Sequence, residues 1–173
     1  MSGELLPMIV AATGHRPPKL GGYAETVHRR CVTVATRWLE AQEEACEGRI
    51  KCVRVGMALG WDQAVAQACV DVDVPFHAYV PFRGQELRWP DEAQVAYKVL
   101  LNKAEEIVYC SPPGYSPAKM QKRNAMMVDG PPIATHVLAL WNGTNGGTAN
   151  CVDYANMRKV PVINLWDWYL GRP

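Results

Sequence analysis

The chain has 173 residues, 49% of them hydrophobic, and 18 Lys and Arg face 17 Asp and Glu for a formal net charge of +1. That length and apolar share suit a single domain over residues 1–173 with a substantial core. A nearly neutral chain gives no electrostatic case for bulk attachment to nucleic acid or a membrane surface, and no apolar run approaches the roughly 20 residues of a bilayer-spanning helix.

The start, Met1 to Pro7, lacks a basic segment followed by an apolar one, so no signal peptide is expected and a cytoplasmic location is. The cysteines are Cys31, Cys46, Cys52, Cys69, Cys110 and Cys151. None forms a C-x-x-C pair and most sit in apolar segments, which reads as reduced, buried thiols. Nothing places four ligands at zinc spacing, so no metal is expected.

Residues 7–13 read as a buried strand that ends in Gly14-His15-Arg16-Pro17-Pro18, where the double proline predicts an ordered loop. From 23 to 45 the pattern is helical, with Val27, Cys31, Val34, Ala35, Trp38 and Leu39 on one face. A second strand, 50–57, leads through Leu59-Gly60-Trp61-Asp62 into a second helix. A third strand covers 75–81, a charged loop with Trp89 covers 83–90, and a helix covers 91–103. A fourth strand at 106–110 runs into Ser111-Pro112-Pro113-Gly114-Tyr115. Ser116 caps the next helix, with Pro117 at its first position. A fifth strand, ending Leu140-Trp141, enters a glycine-rich turn that opens a helix ending near Arg158-Lys159. A sixth strand at 160–165 precedes the aromatic tail Trp166-Asp167-Trp168-Tyr169, which suits either a core cap or contact with a second subunit.

Strands alternating with helices predict a parallel sheet covered on both faces, and right-handed crossovers make it a doubly wound, Rossmann-like α/β fold. In such sheets ligands bind beyond the carboxyl ends of the strands. Three loops that follow strands, at 14–16, 59–62 and 143–150, are therefore expected to open on one side.

The last of these loops is the most informative. The first N–H groups of a helix have no internal partner, and the helix dipole adds partial positive charge there. Gly143, Gly146 and Gly147 place no Cβ between those groups and an anion, so Asn142-Gly143-Thr144-Asn145-Gly146-Gly147-Thr148 reads as a phosphate cradle. No Gly-Lys-Ser/Thr follows, so it is not a Walker A loop. Thr148 offers a hydroxyl to a phosphate oxygen, and Asn150 an amide to a ribose or base.

Other candidates complete the set. Gly14, His15 and Arg16 follow the first strand. Arg16 offers paired donors to phosphate, and His15 a hydrogen bond or acid–base chemistry near neutral pH; the alternative is a surface arginine beside a loop-stabilising histidine. Gly60 either permits close approach of backbone to a ligand or simply makes the turn. Asp62 is either a helix cap or a ribose acceptor and general base. Arg123 and Asn124 belong either to a solvated basic face with Lys119 and Lys122 or to the pocket rim. Trp89 either stacks a base or packs beneath its loop. His28, His77 and His136 read as structural.

Five motifs in order carry a family resemblance. They are Thr13-Gly14-His15-Arg16-Pro17, Gly56-x-x-x-Gly60-x-Asp62, and Pro81-Phe82 with Gln85-Glu86-x-x-Trp89. Then come Lys122-Arg123-Asn124-x-x-Met127-Val128-Asp129 and Asn145-Gly146-Gly147-Thr148-Ala149-Asn150. Together they resemble the SLOG superfamily, the DprA/LOG-type Rossmannoid proteins, and most of all its YpsA-like branch. The resemblance implies a pocket for a nucleotide or nucleotide-derived ligand and no firm cofactor. It places members among sensors and binding modules of defence and signalling systems, some phage-encoded, and related proteins often form homodimers or higher oligomers.

It also leaves three functions open. One is a sensor, carrier or sequestering module for a small nucleotide derivative. The second is a LOG-like hydrolase of the N-glycosidic bond of nucleoside monophosphates, with Asp62 and His15 as catalytic candidates. The LOG loop has the form G-G-x-G-T-x-x-E, and alignment on Thr148 puts Cys151 where its glutamate stands. The third is DprA-like binding of single-stranded DNA, against which the near-zero charge argues. Binding of a small nucleotide derivative is the expectation, without a nucleic-acid or membrane partner.

Overall fold

The computed structural model describes residues 6–46 and 48–172. The expectation drawn from Met1 to Pro7 falls for the most part on residues 1–5, which lie outside the described residues. Strand β1 (Met8–Gly14) is followed by α1 (Pro17–Leu20), α2 (Glu25–Ala45), β2 (Ile50–Val55), α3 (Trp61–Asp71) and β3 (Phe76–Phe82). Then come α4 (Asp91–Leu101), β4 (Glu106–Ser111), α5 (Pro117–Asp129), β5 (His136–Leu140), α6 (Gly147–Met157), β6 (Val162–Asn164) and α7 (Trp166–Tyr169).

The six strands form one sheet in the order β4-β3-β2-β1-β5-β6, and every pairing is parallel. β1 is buried on both faces, as its unbroken apolar run requires. Helices α2, α3, α4 and α7 cover one face, over a core built around Val10, Trp38, Trp61, Val65 and Leu138. Helices α5 and α6 cover the other, over Ala11, Tyr79, Met127, Val137 and Cys151. The fold is the doubly wound α/β arrangement that the element order predicts. No helix among the described residues is long and apolar enough to cross a membrane.

Strand order reverses at β1, which lies between β2 and β5. The chain builds outward from β1 to β4 and then returns to the other side of β1. The loops leaving β1 and β5 therefore diverge to opposite faces, which opens a crevice at their carboxyl ends.

One local feature differs from expectation. The stretch after Arg16 is a short helix and not a loop, because Pro17 carries the fixed φ of a first helical residue and gives up no bonded N–H. The aromatic tail folds back as α7 on α2 and β5. Trp166 stacks on Tyr169 with ring centroids 5.3 Å apart, Arg37 lies over Trp168, and the Tyr169 hydroxyl donates to the Leu20 carbonyl. Cys46 is exposed, whereas the other five cysteines are buried as expected.

Candidate anion-binding site

A cavity of about 480 Å³ opens at the strand-order reversal. It falls within the roughly 300–1,000 Å³ of small-ligand pockets. The loop after β1 contributes Gly14, His15 and Arg16, the β2 turn contributes Ala58 and Asp62, and the start of α6 contributes Gly146, Gly147, Thr148 and Asn150. Arg123 and Asn124 of α5 close the floor. Three loops far apart in the chain thus share one crevice.

The start of α6 is built to leave its amides open. Gly146 precedes the helix at φ 144°, a backbone conformation that favours glycine, and no side chain caps the helix. The first intrahelical bond runs from the Asn150 N–H to the Gly146 carbonyl. The Gly147, Thr148 and Ala149 N–H groups therefore have no partner within the helix. By contrast, α5 has its cap, with Ser116 Oγ accepting from the Lys119 N–H at 3.3 Å.

Three cations surround this seat. The Arg16 side chain is exposed and makes no hydrogen bond or salt bridge among the described residues. Lys19 Nζ donates to Thr144 Oγ1 and to the Asn145 carbonyl, both at 2.9 Å, which ties α1 to the glycine turn. Arg123 is buried, so the solvated basic face considered from the sequence does not apply to it. Its Nη1 donates to the Gly56 carbonyl at 2.7 Å and its Nε to Asn124 Oδ1 at 2.9 Å. Asn124 Nδ2 in turn donates to the Gly147 carbonyl at 3.3 Å. These two α5 residues bridge the β2 turn and the glycine loop. A Cβ on Gly56 would overlap the Arg123 guanidinium, so the glycine makes room for the charge.

Among the described residues Asp62 is the sole acidic one lining the cavity. It does not cap α3. Its Oδ2 accepts from the Ala58 N–H at 3.2 Å and lies 3.7 Å from Arg123 Nη1. Burial pushes its carboxyl above the usual carboxylate range, and Arg123, the Ala58 N–H and Arg16 oppose that shift.

His15 is a brace. Its Nε2 sits 2.7 Å from Asn142 Oδ1 and 3.0 Å from the Asn142 backbone nitrogen, and its ring meets Trp166 edge-on at 5.9 Å. Burial lowers its pKa below 6.5, with Lys19 adding to the shift and the Asn142 contact opposing it. The folded chain thus holds this proton less readily than the unfolded chain. The contribution of neutral His15 to stability is complete above pH 6.5 and is lost as the pH falls from there through the lower folded value. His28 and His136 shift the same way, also through burial. The urea midpoint is therefore expected to fall between about pH 7.5 and about pH 5.5, and to fall less in His15→Gln. An identical pH dependence in both proteins would show that the His15 proton is not coupled to folding.

Other candidates lie elsewhere. Trp89 packs edge-on against Tyr97 with ring centroids 5.4 Å apart and does not line the cavity, which corrects the stacking alternative. Gly60 faces a neighbouring groove; at φ 95°, its missing side chain lets the His15 carbonyl pass close by. Gly143 and Thr144 shape the glycine turn from outside the cavity lining, Thr144 through a hydrogen bond from its N–H to Asn142 Oδ1 at 3.1 Å. Lys19, Ala58 and Met120 line the cavity without having been marked from the sequence, and Tyr115 lines it as well. For Tyr115 a signal existed, since it sits in a proline-rich loop directly after a strand. Among the described residues no group of three or more His, Cys, Asp and Glu is placed to hold a metal ion.

Fold and site together define a Rossmann-like α/β protein whose crevice lies at the strand-order reversal and is floored by buried Arg123. A model of the YspA SLOG family matches residues 10–160, and the chain belongs to that family. An uncharacterized SPbeta prophage-derived protein of Bacillus subtilis (strain 168), YoqJ, is 35% identical over 117 residues, which are 58% of this chain and 66% of that one. Among solved structures, DNA processing protein A of Streptococcus pneumoniae has a similar fold, with TM-score 0.63 and 15% identity over 92% of this chain and 50% of that one. The Helicobacter pylori protein, described for its single-stranded DNA binding mode, gives TM-score 0.61 and 14% identity over 92% and 65%. The Chlamydomonas rheinhardtii Moco carrier protein gives TM-score 0.52 and 14% identity over 91% and 75%. The match covers less than two thirds of YoqJ and of both DNA processing proteins.

Proposed function

We propose that the crevice binds a nucleotide or nucleotide-derived ligand by its phosphate, and that the protein works as a sensor, carrier or sequestering module. The observation that carries this reading is convergence: the uncapped start of α6 shares one cavity with Arg16, Lys19 and Arg123, against the single carboxylate of Asp62. Helix-start amides and guanidinium forks are the usual donors to phosphate. The presence of a Moco carrier protein among the structural neighbours is compatible with a carrier role.

The test is calorimetry with the common nucleoside monophosphates on wild type and Arg16→Ala. Loss of charge-assisted bonds to phosphate is expected to weaken binding roughly ten- to hundred-fold. Thermal stability is expected to hold, because the exposed Arg16 side chain has no hydrogen-bond partner to lose. Equal affinity in the two proteins would remove Arg16 from the site.

A second reading has one observation in its favour: Asp62 is a buried cavity carboxyl with a raised pKa, the character of a general acid or base. Against it, Asp62 Oδ2 is already engaged by the Ala58 N–H. At the position of the LOG glutamate stands Cys151, whose thiol burial pushes up to about 11. Release of free base from nucleoside monophosphates, abolished by Asp62→Asn, would turn the binding module into a hydrolase. Single-stranded DNA is disfavoured by the net charge of +1 and by Lys119, whose ammonium is held by backbone carbonyls.

A further inference from the structure

We propose that Tyr115 is the stacking platform for the ring of the ligand, so that the cavity takes a phosphorylated compound with a flat ring at the end away from its phosphate. This rests on the phosphate reading above. Tyr115 lines the same cavity, yet it is 68% exposed. A large aromatic ring left in solvent at a pocket wall gains apolar contact when a flat ligand covers it.

The ring is held in place before any ligand arrives. Phe82 meets it edge-on, with centroids 6.4 Å apart and an interplanar angle of 74°. Its loop is clamped by Lys119, whose Nζ donates to the carbonyls of Pro112 at 2.8 Å, Pro113 at 3.0 Å and Gly114 at 2.7 Å. Three prolines, Pro112, Pro113 and Pro117, remove further backbone freedom. A ring fixed in this way loses little conformational entropy on binding. The clamp also occupies the Lys119 charge, so this end of the cavity offers a ring contact and not a second anion seat.

The spacing suits one nucleotide. Tyr115 lies just ahead of Pro117, the first residue of α5, and Asn124, seven residues on, touches the Gly147 carbonyl. At 1.5 Å per residue that is roughly 10 Å along the helix, the scale of a mononucleotide from phosphate to base. Met120 supplies apolar wall between the two ends, and Gln121 and Asn124 supply polar edges.

The experiment measures affinity for ribose 5-phosphate and for the tightest-binding of the adenosine, guanosine, cytidine and uridine monophosphates. The proteins are wild type, Tyr115→Ala, Tyr115→Phe and Arg16→Ala. Tyr115→Ala is expected to weaken the nucleotide roughly ten-fold or more and to leave ribose 5-phosphate unchanged, while Tyr115→Phe binds both as wild type does. Arg16→Ala weakens both. Should Tyr115→Ala bind the nucleotide as wild type while Arg16→Ala still loses both, the ring platform is overturned and the phosphate seat stands. Absence of binding of either compound to wild type overturns both. Tyr115-dependent binding of an oligothymidylate that is tighter than that of any mononucleotide would overturn the small-ligand assignment in favour of a single strand.

Discussion

Replacing Arg123 with methionine is expected to destabilise the fold by about 3–5 kcal/mol, the usual cost of removing one partner from a buried charge pair. Methionine keeps most of the side-chain volume, so the loss reports the polar network and not a cavity. Two acceptors lose their donor at once, the Gly56 carbonyl and Asn124 Oδ1, and the Asp62 carboxylate loses its ion-pair partner at 3.7 Å. All three residues are buried, which leaves little water to replace a lost partner. Urea denaturation measures the effect. The double variant Arg123→Met, Asp62→Leu is expected to recover part of the loss, because no unpaired charge remains. A double variant as unstable as the sum of its singles would show that Arg123 and Asp62 do not act as a pair.

This network explains why part of the site was legible in the sequence and part was not. Strand–helix alternation and glycine after apolar runs are local patterns, so the doubly wound sheet and its loop edge could be read directly. The glycine turn, Arg16 and Asp62 were legible because each follows a strand within a few residues. Arg123 was ambiguous because Lys119-x-x-Lys122-Arg123 is the pattern of a solvated helix face. Its burial depends on Gly56, 67 residues earlier in the chain, having no side chain. Trp89 beside Arg88 and Glu86 looked available for stacking, but Tyr97, on the following helix, holds its ring. His15 carried the chemistry of an acid–base group, yet Asn142, 127 residues away, holds its Nε2. For Arg123 and His15 a long-range contact decided the role, and no spacing rule records such contacts.

Charge followed the same logic. A chain with net charge +1 gathers Arg16, Lys19 and Arg123 around one carboxylate. Composition argues only about the average field, while a cavity with low-dielectric walls concentrates the local one. Near-neutrality therefore weighs against a long polyanion and leaves a small phosphate ester untouched.

At Gly147 the expected effect falls on binding and not on folding. Glycines in this chain are required for different reasons. A Cβ on Gly14 would overlap the Trp61 ring, and one on Gly56 the Arg123 guanidinium, so those positions serve packing. A Cβ on Gly147 would meet nothing within 4 Å, and its φ is not positive, so neither packing nor backbone conformation demands glycine there. What remains is the space above the unpartnered amides of α6. Gly147→Ala is expected to raise stability by about 0.4–1 kcal/mol, because alanine has fewer unfolded conformations to lose. Gly147→Leu is expected to fold with at least the wild-type urea midpoint and to show no nucleotide binding by calorimetry, since its side chain fills the seat. A Gly147→Leu protein that binds as wild type would place the phosphate elsewhere. One that fails to fold would make Gly147 a structural glycine and remove the argument that its bareness serves a ligand.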